Sequence, residues 1–445
     1  MPRTLVSQTP QKIGQEVTLK GWVNARRDHG KIIFIDLRDR TGLVQLVCAN
    51  SASDLRNEDV IEIKGLIQKR PASLINPKLE TGEIEVAVSE IKTLAKAEKL
   101  PFDMGQETLN VELPILLDYR PLTLRHPKVQ AIFKIQETII NAFRNTLRTD
   151  GFTEFQAPAI VPAATEGGAE IFPIQYYDHQ AFLGQSPQLY KQIMVGVFER
   201  VFTVAKAFRA EPSVTTRHLS EYITLDAEFG FIESWEDLMT QAEKLIKAIF
   251  KEVAKENSRE LELFNASIPQ TSTTLPKLKM REAQQIIFER TKRDHRSEPD
   301  LDPEDEKEIC RYSLEKYGSE LIFITHYPTK KRPFYTFADP KDPDYTLSFD
   351  LLGRGLEWIT GGQRINDYQT LLNKIIERSN KPKDFEIYLQ AFKYGMPPEG
   401  GFALGAERIT MQILGLSNVR EASLFPRDME RVDIRLSSTP SNGHK

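Results

Sequence analysis

Residues 208–228, FRAEPSVTTRHLSEYITLDAE, gather Arg209, Glu211, Arg217, His218 and Tyr222 into one short stretch. A guanidinium fork is permanently charged and can hold phosphate oxygens in bidentate fashion, so arginines aimed at one spot suit a polyphosphate. The flanks VFTVAKAF and YITLDAEFGF are rich in β-branched and aromatic residues, and the Pro, Ser and Thr of 211–216 mark a loop between them. The pattern predicts an antiparallel hairpin that brings Arg209, Arg217 and His218 to one mouth. Taken alone, such a cluster is more often a solvated tip with ordinary surface ion pairs.

Other stretches add candidates. In QSPQLYKQIMVGVFERV the spacing predicts a helix with Ser186 as N-cap and Pro187 at its first position, from which Gln188 and Lys191 project one turn apart. TEGGA, holding Glu166, reads as a flexible glycine loop. YTLSFDLLGRGLEWITGGQRI reads as strand, loop and strand, and carries Asp350, Glu357, Thr360 and Arg364. GGFALGAERITMQILG reads as a glycine-rich strand entering a helix, with Gly405 and Arg408 at the junction. Singly, Lys191 would be a snorkelling helix lysine and Glu357 a surface carboxylate.

These pieces must be positioned by a large scaffold. A chain of 445 residues exceeds one ordinary core, and 40% apolar with 27% charged residues is a globular composition. The net charge of −4 argues against blanket nucleic-acid binding and leaves room for local basic patches. No apolar run is long enough for a membrane span and the N-terminus lacks a secretory pattern, so a cytoplasmic protein is expected. Cys48 and Cys310 lie far apart without metal-ligand spacing and read as reduced thiols.

Between residues 16 and 94, VTLKGWV, KIIFIDLRD, GLVQLVC, VIEIKGLI and EIEVAVSEI read as five strands, enough for a small Greek-key barrel of the OB type over residues 1–95. Such barrels bind single-stranded nucleic acid with aromatic platforms and basic side chains. Phe34, Arg26, Arg27 and Gln45 are placed for that, although Phe34 could equally be core. Prolines through 96–127 suggest a hinge. Helical periodicity runs from Val129 to Leu147 and stops at Gly151, and 235–253 reads as a second amphipathic helix. GFTEFQAPAIVPAA reads as a strand interrupted by Pro158 and Pro162. Residues 257–320 read as a solvated insertion within a 128–435 body, and 436–445 as a disordered tail.

The order of these motifs resembles the class II aminoacyl-tRNA synthetases: GFTEFQAP looks like their first signature, FRAE through LDAE the second, and GFALGAERI the third. QSPQLYKQ, LEWITGGQR and TEGGA are similar to the aspartyl-tRNA synthetases over essentially the whole chain. The second-to-third signature spacing lacks the extra domain of the common bacterial form and looks like the compact archaeal type, whereas GWVNARRDHG and IFIDLRDR read more like the bacterial barrel. The resemblance implies an α+β fold, an OB barrel ahead of a catalytic domain on an antiparallel sheet with flanking helices. Pro158 would lie in a homodimer interface.

It also implies an activity and site roles. L-aspartate would be activated with ATP to the adenylate and passed to tRNA(Asp). Arg209 would bridge the α-phosphate and the attacking carboxylate, and Arg408 would contact phosphate and cover adenine opposite Tyr222. Glu211 would meet the adenine edge, and Arg217 and His218 the distal phosphate, with Leu219 and Gly405 completing the ATP site. Glu357, Asp350 and Thr360 would supply oxygens to Mg²⁺, a hard cation that takes such ligands. Lys191 and Arg364 would clasp the β-carboxylate, with Gln188 fixing the pose and Glu166 attracting the ammonium. On that reading, removing Lys191 costs binding and little folding. Arg27, Phe34 and Gln45 match positions that read the anticodon. His29 accompanies relaxed enzymes that also charge tRNA(Asn), although Ser73 in RPASLINP departs from the usual glycine. An asparaginyl-tRNA synthetase, a free-standing asparagine synthetase and a non-catalytic tRNA-binding paralogue are the rivals. The last two would lack the barrel or some of the charged set, and both are present.

Overall fold

The computed structural model describes residues 2–30, 32–48, 52, 54–77, 79–163 and 170–436. Two compact units divide at Glu112 and Leu113. In the first, β1 (Glu16–Asp28), β2 (Ile33–Asp39), β3 (Gly42–Cys48), β4 (Val60–Lys69) and β5 (Ile84–Ala95) close a barrel in the order β1-β2-β3-β5-β4. Alternation decides the faces: Ile33, Ile35 and Leu37 of β2 enter the core with Val44, Leu46 and Val86. Phe34 and Asp36, between them, are half-buried on the outer face. Phe34 is therefore not a core residue. Cys48 and Cys310 are both buried free thiols.

The second unit begins with α1 (Leu113–Asp118), α2 (Arg120–Thr123) and the long α3 (Pro127–Thr149), which Gly151 ends at φ +81°. The stretch after it, expected as one interrupted strand, forms only β6 (Thr153–Glu154) and β7 (Ile160–Val161). The latter joins β8 (Pro173–Tyr176) and β9 (His179–Leu183) in a minor sheet. α4 (Gln188–Phe198) precedes the central hairpin, β10 (Arg200–Phe208) and β11 (Glu221–Gly230), which pair antiparallel throughout. Then come α5 (Glu236–Glu256), α6 (Ser258–Leu263), β12 (Lys277–Lys279), α7 (Met280–Thr291), α8 (Pro303–Tyr317) and β13 (Leu321–Thr325). After a two-stranded ribbon of β14 (Ala338–Asp339) and β15 (Asp342–Thr346), the chain forms β16 (Ser348–Gly353) and β17 (Leu356–Gln363). It ends on α9 (Tyr368–Glu377), α10 (Glu386–Lys393), β18 (Glu399–Gly405) and α11 (Ala406–Leu414).

Eight strands form one sheet in the order β12-β13-β16-β17-β18-β11-β10-β6. Only its two edge pairings, β12 with β13 and β6 with β10, are parallel. One face is apolar: Leu225, Ala227, Phe402, Leu404 and Ile359 pack on Ile135, Ile139 and Phe143 of α3, Ile246 and Ile249 of α5, and Ile409 of α11. Each such side chain contributes about 1.5–3 kcal/mol by leaving water. On the opposite face β11 presents Thr224, Asp226 and Glu228, the other half of its period-two alternation. A second cluster from α4, α9 and α10, including Val195, Leu371, Ile375 and Tyr388, walls that polar face.

Two sequence expectations change. Pro187, not Ser186, occupies the N-cap of α4, and Ser186 Oγ accepts from Gln188 N at 3.3 Å. The segment 257–320 is not a solvated insertion. It supplies β12 and a core in which Ala283, Ile287 and Ile309 are buried, because its apolar residues recur at helical spacing and need a partner.

Gly401 shows how tightly β18 approaches β11. A Cβ there would lie 2.1 Å from both the Ala227 carbonyl oxygen and Glu228 Oε2. Gly401→Ala should therefore lower unfolding stability by about 2–3 kcal/mol, read from the urea midpoint at unchanged slope. An unchanged midpoint would contradict this packing.

Candidate active site

A cavity of about 320 Å³ opens on the polar face of the sheet. Its walls include Gln188, Lys191, Arg209, Glu211, Arg217, His218, Leu219, Tyr222, Glu357, Thr360, Arg364, Gly405 and Arg408, so thirteen residues singled out from sequence share one space. Two others do not line it. Asp350 is buried beside it, with Oδ2 accepting from Arg332 Nη2 at 2.8 Å. Glu166 lies outside the described residues.

The hairpin builds the phosphate-sized end. Arg209 N donates to Ser220 O at 2.9 Å, which closes the neck as the strands part. The Arg209 guanidinium carbon stands 5.8 Å from the Tyr222 ring centroid. Across the cavity, Arg408 in the first turn of α11 donates to Glu357 Oε1 at 3.0 Å and to the Glu357 carbonyl at 3.1 Å. Glu357 keeps 34% of its side-chain surface open. Desolvation in the concave wall, then the neighbouring Asp350, push its carboxyl above the ordinary range. Glu211 is likewise raised by burial.

The deep end is a buried lattice of ions. Lys191 is 1% exposed, and its Nζ meets Asp226 Oδ1 at 2.9 Å and Glu228 Oε2 at 3.1 Å. Arg364 Nε donates to Glu228 Oε1 at 2.7 Å and its Nη2 to Gly401 O at 3.1 Å. Burial alone would lower the Lys191 and Arg364 values, but the facing carboxylates outweigh it and hold both cations above their ordinary range. An ammonium has three donors, and these two acids occupy two of them. The expectation that removing Lys191 costs little folding is thereby overturned. Its loss would leave Asp226 and Glu228 buried and short of a partner, a change that costs about 3–5 kcal/mol.

Several groups in or beside the cavity were missed from sequence. Asp226 and Glu228 could have been found from the alternation of polar and apolar residues in YITLDAEF. Arg332, whose Nη1 also reaches Thr360 Oγ1 at 3.4 Å, sits in a loop that reads as an ordinary basic run. Glu306 of α8 pairs with Arg217, which brings the 257–320 segment to the site. Burial pushes the Glu306 carboxyl up to about 7 against the pull of Arg217.

On the barrel, Arg27 and Phe34 are cross-strand neighbours. The His29 and Phe34 rings meet edge to face at 5.5 Å. Arg27 holds Asp36 in a two-pronged pair at 2.7 and 2.8 Å, and Gln45 Nε2 donates to Glu85 at 3.0 Å. Arg26 turns instead to Asp28 at 2.9 Å. Arg27, His29, Phe34 and Gln45 thus form one outer patch on β1, the turn after it, β2 and β3.

Residues 112–429 match the family model described as tRNA synthetases class II (D, K and N). The chain belongs to that family. Residues 17–94 of this class II synthetase match the OB-fold nucleic acid binding domain. A Deinococcus radiodurans protein called aspartate–tRNA(Asp/Asn) ligase is 43% identical, over 97% of this chain and 99% of its own length. A Pyrococcus furiosus aspartate–tRNA(Asp) ligase is 40% identical, over 95% and 97%. Among solved structures, asparaginyl-tRNA synthetase from Pyrococcus horikoshii, complexed with asparaginyl-adenylate, superposes with a TM-score of 0.88 at 32% identity, over 97% of this chain and 99% of that one. The fold therefore does not by itself separate aspartate from asparagine enzymes. No helix among the described residues is long and apolar enough to cross a membrane.

Burial, then Arg408, Arg217 and Arg209, depress the His218 imidazole to about 4. A histidine lowered in the folded state contributes stability that is present above the ordinary value near 6.5 and is lost as pH falls through about 4. Its carbon-13 resonance should stay at the neutral position at about pH 6 and move only near 4. A midpoint near 6.5 would remove the arginine field from around it.

Proposed function

We propose that this synthetase is an aspartate–tRNA ligase that activates L-aspartate with ATP and transfers it to tRNA(Asp) and to tRNA(Asn). The observation that carries the reading is the junction of two cation groups in one cavity. Arg209, Arg217 and Arg408 face its wider end, and the buried Lys191 and Arg364 face its deep end. An amino acid with a carboxylate side chain suits the deep pair better than a neutral amide does, since each cation can add a charge-assisted hydrogen bond.

In the first step the α-carboxylate attacks the α-phosphorus and pyrophosphate leaves. Two anions must approach, so catalysis is positioning and charge neutralisation. Arg209 bridges the carboxylate and the α-phosphate. Arg217 and His218 take the distal phosphate, and Arg217 exchanges its Glu306 partner for that anion. Adenine lies between Tyr222 and the Arg408 guanidinium, with Glu211 at its edge and the backbone of Leu219 and Gly405 beside it. Gln188 and Glu166 orient the amino acid.

Mg²⁺ fits the carboxylates here: Glu357 is open to the cavity, and Asp350 Oδ1 is buried without a hydrogen-bond partner among the described residues. Glu357 and Asp350, with Thr360, would hold it, and when bound it neutralises phosphate charge.

The barrel patch is the anticodon reader, with a base stacking on Phe34 and Arg27 and Gln45 meeting its edge. His29 beside Phe34 supports relaxed choice of the third anticodon base. Exposed Val197, Phe198, Phe231 and Tyr394 lie at the ends of α4, β11 and α10 and support a homodimer. Sedimentation should then give twice the 50.9 kDa chain mass, and a monomer at micromolar concentration would refute it.

The decisive assay charges tRNA(Asp) and tRNA(Asn) transcripts with labelled aspartate and, in parallel, measures ATP–pyrophosphate exchange. We expect both transcripts to be charged and exchange to depend on aspartate. Exchange driven by asparagine alone would make this an asparaginyl enzyme. Phe34→Ala should slow charging of both transcripts about tenfold or more, the loss of one stacked base, while leaving exchange intact. Equal loss in both assays would refute the barrel's assignment.

A further inference from the structure

Glu399, first residue of β18, is a fully buried acid that the scheme above does not use. Its Oε1 accepts from Gln192 Nε2 at 2.7 Å. Gln192 Oε1 in turn accepts from Tyr388 Oη at 3.0 Å and from Gln188 Nε2 at 2.9 Å. Glu399 Oε2 has no donor among the described residues, and the Glu399 carboxyl lies against that of Glu228. Glu228 already spends Oε1 on Arg364 and Oε2 on Lys191. Two ionised carboxylates in contact at such depth would repel without water to screen them, whereas one proton between them makes a charge-assisted hydrogen bond.

We propose that Glu399 holds its proton in the free enzyme and donates it to Glu228, and that this neutral acid fixes the charge of the aspartate clasp. Glu399 is then a positioning residue that determines specificity. The inference rests on reading Lys191 and Arg364 as that clasp. The groups acting on Glu399 are Glu228 on β11, Gln192 on α4, Arg364 after β17 and Tyr388 on α10; Lys191 and Asp226 lie one contact further, through Glu228, and Tyr335 acts on Arg364 and Tyr388. Lys191 and Arg364 balance Asp226 and Glu228, so with Glu399 neutral the clasp carries no net charge and admits a β-carboxylate. An ionised Glu399 would add a negative charge beside Arg364 and favour a neutral amide side chain instead. Burial, then Glu228, raise the Glu399 carboxyl well above its ordinary range, in keeping with the geometry.

The test compares Glu399→Leu and Glu399→Gln in ATP–pyrophosphate exchange, with KM for aspartate and for ATP measured separately. Leucine leaves Gln192 and Glu228 without their partner, and KM for aspartate should rise about tenfold or more with KM for ATP little changed. Glutamine offers an N–H to Glu228 and an oxygen to Gln192, and should restore KM to within about threefold of wild type. If Glu399 were ionised, glutamine would delete a negative charge beside the clasp and drive KM for aspartate about tenfold or more below wild type, which overturns the proposal. The infrared spectrum of the wild type should contain a protonated-carboxyl band that Glu399→Gln lacks, and its absence likewise overturns it. If the variants do not fold, calorimetry of aspartate binding to the wild type in two buffers of different ionisation heat decides. No proton uptake is expected, and uptake of about one proton per aspartate refutes the assignment. Wild-type exchange that ignores aspartate would sink the substrate reading and leave the infrared band to judge Glu399.

Discussion

The second unit is built around four buried charges, Lys191, Asp226, Glu228 and Arg364. Taking ions out of water costs several kcal/mol each, and the cost is offset only where geometry pairs every charge. These four come from α4, from β11 and from the chain just after β17, so their pairing requires those elements to hold one register. Gly401 is part of the same constraint. Glu228 Oε2 occupies the space in which any larger residue at that position would put its Cβ. A slip of one residue in β11 would turn Asp226 and Glu228 into the apolar layer of α3 and α5 and bring Leu225 and Ala227 to the cavity. The ions thus specify the sheet more than they stabilise it, and the apolar face supplies the stability.

The same sheet grades its polar face. At the deep end, cations and carboxylates pair among themselves and the field is nearly balanced. Toward the wider end Arg209, Arg217 and Arg408 meet Glu211, Glu306 and Glu357, and burial, then the three arginines, depress His218. Glu306 and Glu407, both pushed up to about 7 by burial, give up part of their negative charge near neutral pH. The gradient runs along β11, from Tyr222 near the arginines to Glu228 near the clasp. A ligand carrying polyphosphate at one end and a small carboxylate at the other would meet cations at both ends.

Much of this was legible where chemistry and periodicity lie close together in sequence. The hairpin carries its arginines, its turn residues and its β-branched flanks within residues 208–228, so motif and scaffold were read at once. The barrel strands were legible for the same reason, although the choice between core and surface for Phe34 needed the alternation of Ile33, Ile35 and Leu37 to be followed to its end. Other features were not. Arg332, Glu306 and Glu399 each sit in a local pattern with an ordinary reading, and they gain meaning only when loops and helices far apart in sequence meet over the sheet. Asp350 shows the converse: the resemblance made it a metal ligand beside Glu357, while Arg332 already holds one of its oxygens. The start of α4 moved by one residue because Pro187 can sit in the capping position as readily as in the first turn.

On the proposed reading, amino-acid choice and tRNA choice fall in different compact units, and this shapes what single substitutions can change. Aspartate and asparagine differ by one charge at one end of the substrate, so with Lys191 and Arg364 as the proposed clasp, selection between them would turn on the charge of a few buried groups around that pair. The likeness to an asparaginyl enzyme at 32% identity is consistent with a shared sheet, on which the proposed distinction would be electrostatic. On the same proposal, choice of tRNA turns on an outer patch of the barrel where His29 meets Phe34, Arg27 pairs with Asp36 and Gln45 donates to Glu85. A change there leaves the buried ions, and hence the register of the large sheet, untouched. Under that proposal, relaxing tRNA choice is a change at the barrel's outer face with little structural cost, whereas changing the amino acid disturbs the buried charges around which the large sheet is built.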